Sequence, residues 1–238
     1  MDPAYIEEDG MRHNDQSRPP LRLASAGFAA FVTSVAMAPP AAQRPPAPPL
    51  APTHPPSHVV DLMTAEGSAA FGARWKTMEA KIVEVPAIKN SMPGYEKTYD
   101  ISPHAGESGF DDSSWPPIEP KGLTDRRGGG KVSFIWYRAT LTVPAKSGDF
   151  DVAGAKAVLA VNVDDYAEIW VNGQMPRRGG SVSPATIQGF GMTNRVVLAD
   201  AIKPGDTFQI AIFGVNGPIS VAGDHFVFLR QVSIELYK

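Results

Sequence analysis

In the run DDYAEIWVNGQ, residues 164 to 174, alternation puts Tyr166, Glu168 and Trp170 on one side of an extended chain and Ala167, Ile169 and Val171 on the other. The second side reads as core. The first combines two aromatic faces with a carboxylate. A second run, VSFIWYRATLTV at 132 to 143, adds Trp136 and Arg138 on its outward side, and Asn162 points outward from AVLAVNV. Such a set suits a sugar. The C–H face of a pyranose stacks on an aromatic ring, while its hydroxyls want donors and acceptors such as Arg, Asn and Glu. The competing expectation is a covered face, with the outward aromatics under an N-terminal segment, a loop or a partner domain. Trp75 and Trp115 would then pack there, and an Arg138–Glu168 cross-strand pair would be worth about 1 kcal/mol or less if exposed.

Beyond the turn at Asn172-Gly173, Arg177 and Arg178 form a further ligand candidate, because two guanidiniums can hold a carboxylate or sugar acid by paired hydrogen bonds. A solvated loop is the alternative. Catalytic signatures are absent from the sequence: it has no HExxH, GxSxG or strand-borne GxGxxG, and GGGK at 128 to 131 lacks phosphate-loop spacing and reads as a hairpin tip. No catalytic residue and no cofactor is expected. Of the histidines, at 13, 54, 58, 104 and 225, only His104 and His225 fall in the expected folded part, which argues against a three-histidine metal centre. The acidic pairs Asp111-Asp112 and Asp164-Asp165 read first as turn or capping residues, since neighbours on a strand point to opposite faces. Acid–base work and a structural calcium are the other options that paired hard oxygens offer.

The elements that must carry these residues are short β-rich runs separated by turn formers from Lys81 onward, the pattern of an all-β antiparallel sandwich. KIVEV is the first. VSFIWYRATLTV places Ile135, Tyr137, Ala139, Leu141 and Val143 inward, and AVLAVNV places Leu159, Val161 and Val163 inward before Asp164-Asp165 turn the chain. That turn predicts a hairpin between AVLAVNV and the following run. The last strand, HFVFLRQVSIELY, is predicted to bury Phe226, Phe228, Val232, Ile234 and Leu236. MPRRGGSVSPATIQGFGMTN reads as a long loop, and residues 59 to 78 as a short helix or a strand leading into the domain.

The N-terminal part has a different composition. Arg12, Arg18 and Arg22 precede the uncharged run at 23 to 38, with small residues and proline after it, the layout of an export signal cleaved after Ala38 or Ala42. That run is short of the roughly 20 residues a membrane span needs, so no membrane span is expected after cleavage. The acidic opening MDPAYIEED conflicts with a basic start, and initiation at Met11 would remove the conflict. The expected division is residues 1–42 as signal peptide, 43–58 as proline-rich linker and 59–238 as sandwich, in an exported protein of the periplasm or exterior. The formal charge of -3 gives no attraction to nucleic acid, and the lack of cysteine removes disulfides and thiolate chemistry.

FDDSSW (110 to 115), WYRATLTVP (136 to 144), DDYAEIWVNGQ and KPGDTFQIAIFGVNGP (203 to 218) together resemble the galactose-binding-like jelly roll at the N-terminus of glycoside hydrolase family 2 enzymes. From Arg74 to Lys238, with KTYDISPHAG, GDFDVAGA and NGPIS, the chain is also similar to the accessory domain that precedes the propeller in exported gluconolactonase proteins of the SMP-30 type. In that family lactone hydrolysis and its divalent metal belong to the propeller, which would begin where this sequence stops. The resemblance therefore implies a non-catalytic carbohydrate-binding or accessory module, with a partner protein or catalytic domain as its companion. A sugar-lactone hydrolase, or part of one, and a structural interaction module are the alternatives.

Mass spectrometry of the protein recovered from the envelope or medium of an expressing bacterium should find Pro39 or Gln43 at the N-terminus. An intact Met1 or Met11 start, confined to the cytosol, would dismiss the export reading.

Overall fold

The structure is a computed structural model that describes residues 51–87, 94, 96–176, 191–217 and 223–238. The chain divides into two compact units, Met1–Gln43 and Arg44–Lys238, and the described residues all belong to the second.

Its strands, in chain order, begin with β1 (His58–Asp61), β2 (Trp75–Glu79), β3 (Lys81–Pro86), β4 (Lys97–Ser102), β5 (Pro117–Ile118), β6 (Arg127–Gly130) and β7 (Ser133–Thr142). They continue with β8 (Lys146–Ser147), β9 (Phe150–Asp151), β10 (Lys156–Asp164), β11 (Tyr166–Val171), β12 (Asn194–Ala199), β13 (Thr207–Asn216) and β14 (His225–Tyr237). One helix, α1 (Ala65–Ala70), sits between β1 and β2, so the stretch at 59 to 78 holds both a helix and sandwich strands. Thr64 caps α1, its hydroxyl accepting from the Gly67 amide at 3.0 Å.

The all-β antiparallel sandwich expected from alternation is present. One sheet runs β1-β14-β10-β12, with β6 also on β14, and the other runs β11-β13-β7-β2-β5. Every strand pair is antiparallel. Between the sheets the inward side chains close a single large core: Ile135, Tyr137 and Leu141 from β7, Leu159 and Val161 from β10, Ile210 and Ile212 from β13, Ile234 and Leu236 from β14. The residues of β7, β10 and β14 among these are ones alternation assigns to the interior, because burying one face of each strand is what removes apolar surface from water.

Four expectations need correction. The predicted hairpin between β10 and β11 is not formed: β10 lies between β14 and β12, whereas β11 pairs with β13 in the opposite sheet. The chain crosses the core at Asp164-Asp165. Alternation specifies which side chains face inward, and two strands in opposed sheets satisfy that pattern as well as two paired ones. KIVEV, now β3, pairs only with β4 outside both main sheets. The glycines of GGGK are not a hairpin tip but lie in β6, on the edge of β14. Finally, Phe226 and Phe228 are not core residues. Opposite β14 the register shifts between Asn162, facing Gln231, and Val163, facing Leu229, so Arg230 is an extra residue and a β-bulge. The bulge reverses parity, and Val227 and Leu229 enter the core in place of the two phenylalanines.

Residues 51–57, read from sequence as part of the proline-rich stretch, lie on the sandwich. The Ser57 amide donates to the Leu236 carbonyl at 2.8 Å, and the His54 ring meets Tyr237 edge-on with centroids 5.2 Å apart. Tyr237 in turn donates to Glu235 at 2.7 Å, and Arg195 grips Glu235 through two nitrogens. Burial, with Glu235 beside it, pushes the Tyr237 phenol up to about 12.

The bulge is testable by paired truncation. Leu229→Ala should lower the unfolding free energy by about 2–5 kcal/mol, and Phe228→Ala by clearly less. Chemical denaturation giving the reverse order would mean that the parity change is wrong.

Candidate functional site

The outward face of the second sheet is where the sequence places its candidate residues, and its side chains fall into rows across the strands. Register puts Lys76, Arg138, Ala211 and Trp170 in one row, Met78, Trp136, Phe213 and Glu168 in the next, and Phe134, Val215 and Tyr166 in a third. Most of this face is covered. The segment between β4 and β5 lies across it, and Ala105 and Trp115 form a second buried cluster with Trp136, Ala211 and Phe213, against which Phe110 and Trp170 pack.

Arg138 clamps that cover. Its Nε donates to Asp112 Oδ2 at 2.8 Å, Nη1 donates to the Ala105 carbonyl, and Nη2 donates to the Phe110 carbonyl at 3.4 Å. The guanidinium also stands 5.1 Å from the centre of the Phe110 ring. From β2, Lys76 reaches the same acid, Nζ to Oδ1 at 2.9 Å and to its carbonyl at 2.8 Å. Burial works to raise Asp112, but hydrogen bonds and charge from Lys76 and Arg138 overcome it and hold the carboxyl below its usual value.

Trp136 is 2% exposed and Arg138 3%. Neither presents a surface to a ligand, so their expected binding role is replaced by a structural one under the cover. Trp115 packs there as the covered-face expectation has it; Trp75 does not, but enters the main core with its indole N–H donating to Ser68 Oγ at 3.2 Å. The expected Arg138–Glu168 pair is also absent. β13 separates their strands, and Arg138 is level with Trp170 rather than Glu168.

The row on edge strand β11 holds the most exposed aromatic of this face. Tyr166 is 47% exposed, and Glu168 and Trp170 are half-buried. One face of the Trp170 indole is capped by the cover at Gly106, where a Cβ would stand 2.7 Å from Cε2 and 2.8 Å from Cε3. Only glycine allows that approach. The Trp170 N–H donates to Glu168 Oε2 at 3.4 Å, fixing the carboxylate between the two rings. Burial raises the Glu168 carboxyl above its usual value, against the smaller lowering from this hydrogen bond. Beyond the row, Asn172 and Gly173 take φ of 50° and 79°, a two-residue turn of the expected kind, closed by Gln174 donating to Val171 at 3.0 Å.

Arg177 and Arg178 lie outside the described residues. Of the acidic pairs, Asp111 caps the Ser113 amide at 2.9 Å, Asp112 belongs to the clamp, and Asp164 faces Arg230 at 3.2 Å. Among the described residues no three His, Asp or Glu side chains converge as a metal site would require. His104 is bonded to Asp100 at 3.0 Å and Glu107 at 3.3 Å, whereas the His225 Nε2 is buried without a hydrogen-bond partner among the described residues.

Two features escaped the sequence reading. Asp112 as the partner of Arg138 could have been suspected from an acid set between Phe110 and Trp115, ready to be buried with them. The cluster in which Arg126 lies 5.8 Å from the Phe226 ring and 6.0 Å from Phe228, with Arg230 5.3 Å from Phe228, carried no such signal, because it depends on the bulge.

No family model and no curated protein matches the chain. Among solved structures it is similar to β-glucuronidase 2 of Bacteroides uniformis, covalently bound to cyclophellitol-6-carboxylate aziridine, at 16% identity over 68% of this chain and 18% of that one, with a TM-score of 0.34. It is also similar to a β-glucuronidase of Faecalibacterium prausnitzii, at 13% identity over 68% of this chain and 31% of that one, TM-score 0.32. A β-glucosidase of Kluyveromyces marxianus is similar at 11% identity over 75% and 19% of the two chains, TM-score 0.28. The chain thus spans less than a third of the length of each of these enzymes.

Removing Asp112 leaves a buried guanidinium without its carboxylate, so Asp112→Ala should cost about 3–5 kcal/mol. A loss below about 1 kcal/mol in denaturant unfolding would show the clamp to be ornamental. Because the folded pKa of Asp112 is depressed, its contribution is present above the unfolded value and is lost as pH falls through the lower folded value. Glu168 has the opposite sign. With its folded pKa raised, ionisation opposes folding, so Glu168→Gln should stabilise the protein at pH 7 and give no gain once the pH is below the usual carboxylate range. A stability loss at pH 7 would contradict this.

Proposed function

We propose that this chain is a non-catalytic carbohydrate-binding or accessory module of an exported protein, and that it meets its sugar on the edge strand β11. The observation that carries this reading is the exposed Tyr166 ring beside a half-buried, hydrogen-bonded Glu168 on a rigid strand. A pyranose ring needs one apolar surface to stack against and one or two oriented acceptors for its hydroxyls. Both are provided within a two-residue repeat, on an element whose inward side chains, Ala167 and Ile169, are locked in the core. Trp170 serves as the positioning residue of the row: its indole is capped by Gly106, and its N–H orients Glu168.

The resemblance to galactose-binding-like domains supports this reading, as does the N-terminal run that reads as an export signal. Expressed as the full chain and screened on a glycan array, the protein should retain a defined subset of glycans with weak affinity, in the range of about 10 µM to 1 mM that a shallow single-ring platform gives. Tyr166→Ala should abolish retention while thermal unfolding is nearly unchanged, because that side chain contributes little to the core. An array with no retained glycan, or undiminished binding by Tyr166→Ala, would overturn the assignment.

A further inference from the structure

Resting on that reading, the charge of the β11 row has a consequence for the kind of sugar it takes. Along one face of a strand, alternate side chains stand roughly 7 Å apart. A ring stacked on Tyr166 therefore places its substituents directly above Glu168. Among the described residues, the neighbours of Glu168 bring it no counter-charge. Across the sheet lie Phe213 and then Trp136, diagonally on β13 are Ala211 and Val215, and on its own strand are Tyr166 and Trp170. The charged groups on the surrounding elements are committed elsewhere: Arg138 and Lys76 to Asp112, and His104 on the cover to Asp100 and Glu107. Burial and the Trp170 hydrogen bond are the influences on its ionisation.

From this arrangement we infer that Glu168 makes the row selective for uncharged pyranosides and turns away uronic acids. A carboxylate only accepts hydrogen bonds, which suits the hydroxyl donors of a neutral hexose. A second carboxylate brought against it in a half-buried setting meets repulsion that no cation among the described neighbours relieves. The carboxylate of Glu168 is thus a specificity-determining group, and Tyr166 the platform it guards.

The test compares matched pairs that differ only at the exocyclic carbon: methyl glucoside against methyl glucuronide, and methyl galactoside against methyl galacturonide. Binding is followed on the full chain by protein-observed NMR at pH 7 and low salt. Wild type should bind at least one neutral member about tenfold more tightly than its uronate. Glu168→Gln, which keeps the shape and still accepts from the Trp170 N–H, should raise uronate affinity by about the same factor and weaken neutral binding modestly, since an amide oxygen accepts a hydroxyl's hydrogen bond less strongly than a carboxylate. Lowering the pH from 7 to 5 should narrow the wild-type discrimination and leave the variant unmoved, a readout that a merely structural role would not shift. Equal or tighter binding of a uronate by wild type would overturn the charge inference while leaving the sugar site standing. So would discrimination that survives Glu168→Gln. If wild type binds neither member of either pair, the site and the inference fall together.

Discussion

The burial of one positive charge organises the outer half of this molecule. Arg138 lies on a face of β7 that alternation alone would leave in water, yet it is almost fully enclosed. A buried guanidinium is tolerable only if its donors are met, and the donors here are met by a single stretch of chain: the Asp112 carboxylate and the Ala105 and Phe110 carbonyls. Once that stretch is drawn across the sheet, Trp136 and Phe213 have a lid that includes Trp115, and a second apolar cluster forms on what would otherwise be an exposed sheet. The face becomes a three-layer region whose most exposed aromatic, Tyr166, lies on the edge strand.

This cover separates binding residues from supporting ones more sharply than residue type does. Trp136, Arg138 and Trp170 look like ligand contacts when read by chemistry. Under the cover the first two become structural, and the third has one ring face occupied by the Gly106 backbone. Tyr166 keeps its surface, and Glu168 beside it is half-buried. A shallow platform of this sort favours modest affinity and depends on rigidity for whatever specificity it has. That rigidity comes from the sheet register and the Trp170 hydrogen bond.

The topology also explains why the edge strand is available. From β10 onward the main strands alternate between sheets: β10 in the first, β11 in the second, β12 in the first, β13 in the second, β14 in the first. The crossing at Asp164-Asp165 delivers β11 to the outermost position of its sheet. Had the chain turned back as a hairpin, β11 would have paired beside β10, and its outward row would have faced the opposite side of the molecule.

The sequence by itself determined the all-β class, the inward faces of β7, β10 and β11, the tight turn at Asn172-Gly173 and the sidedness of Tyr166, Glu168 and Trp170. Each of these follows from local rules, a period of two and residues suited to positive φ, which act over a few positions. Tertiary structure alone decided which strands pair, which outward face is covered, and that Arg138 meets Asp112 rather than Glu168, because alternation carries sidedness but no information about partners. It also decided the last strand, where the single extra residue Arg230 reverses every side chain before it and turns Phe226 and Phe228 out of the core. A period of two has no memory of an inserted residue, so that reversal exists only in the register with β10.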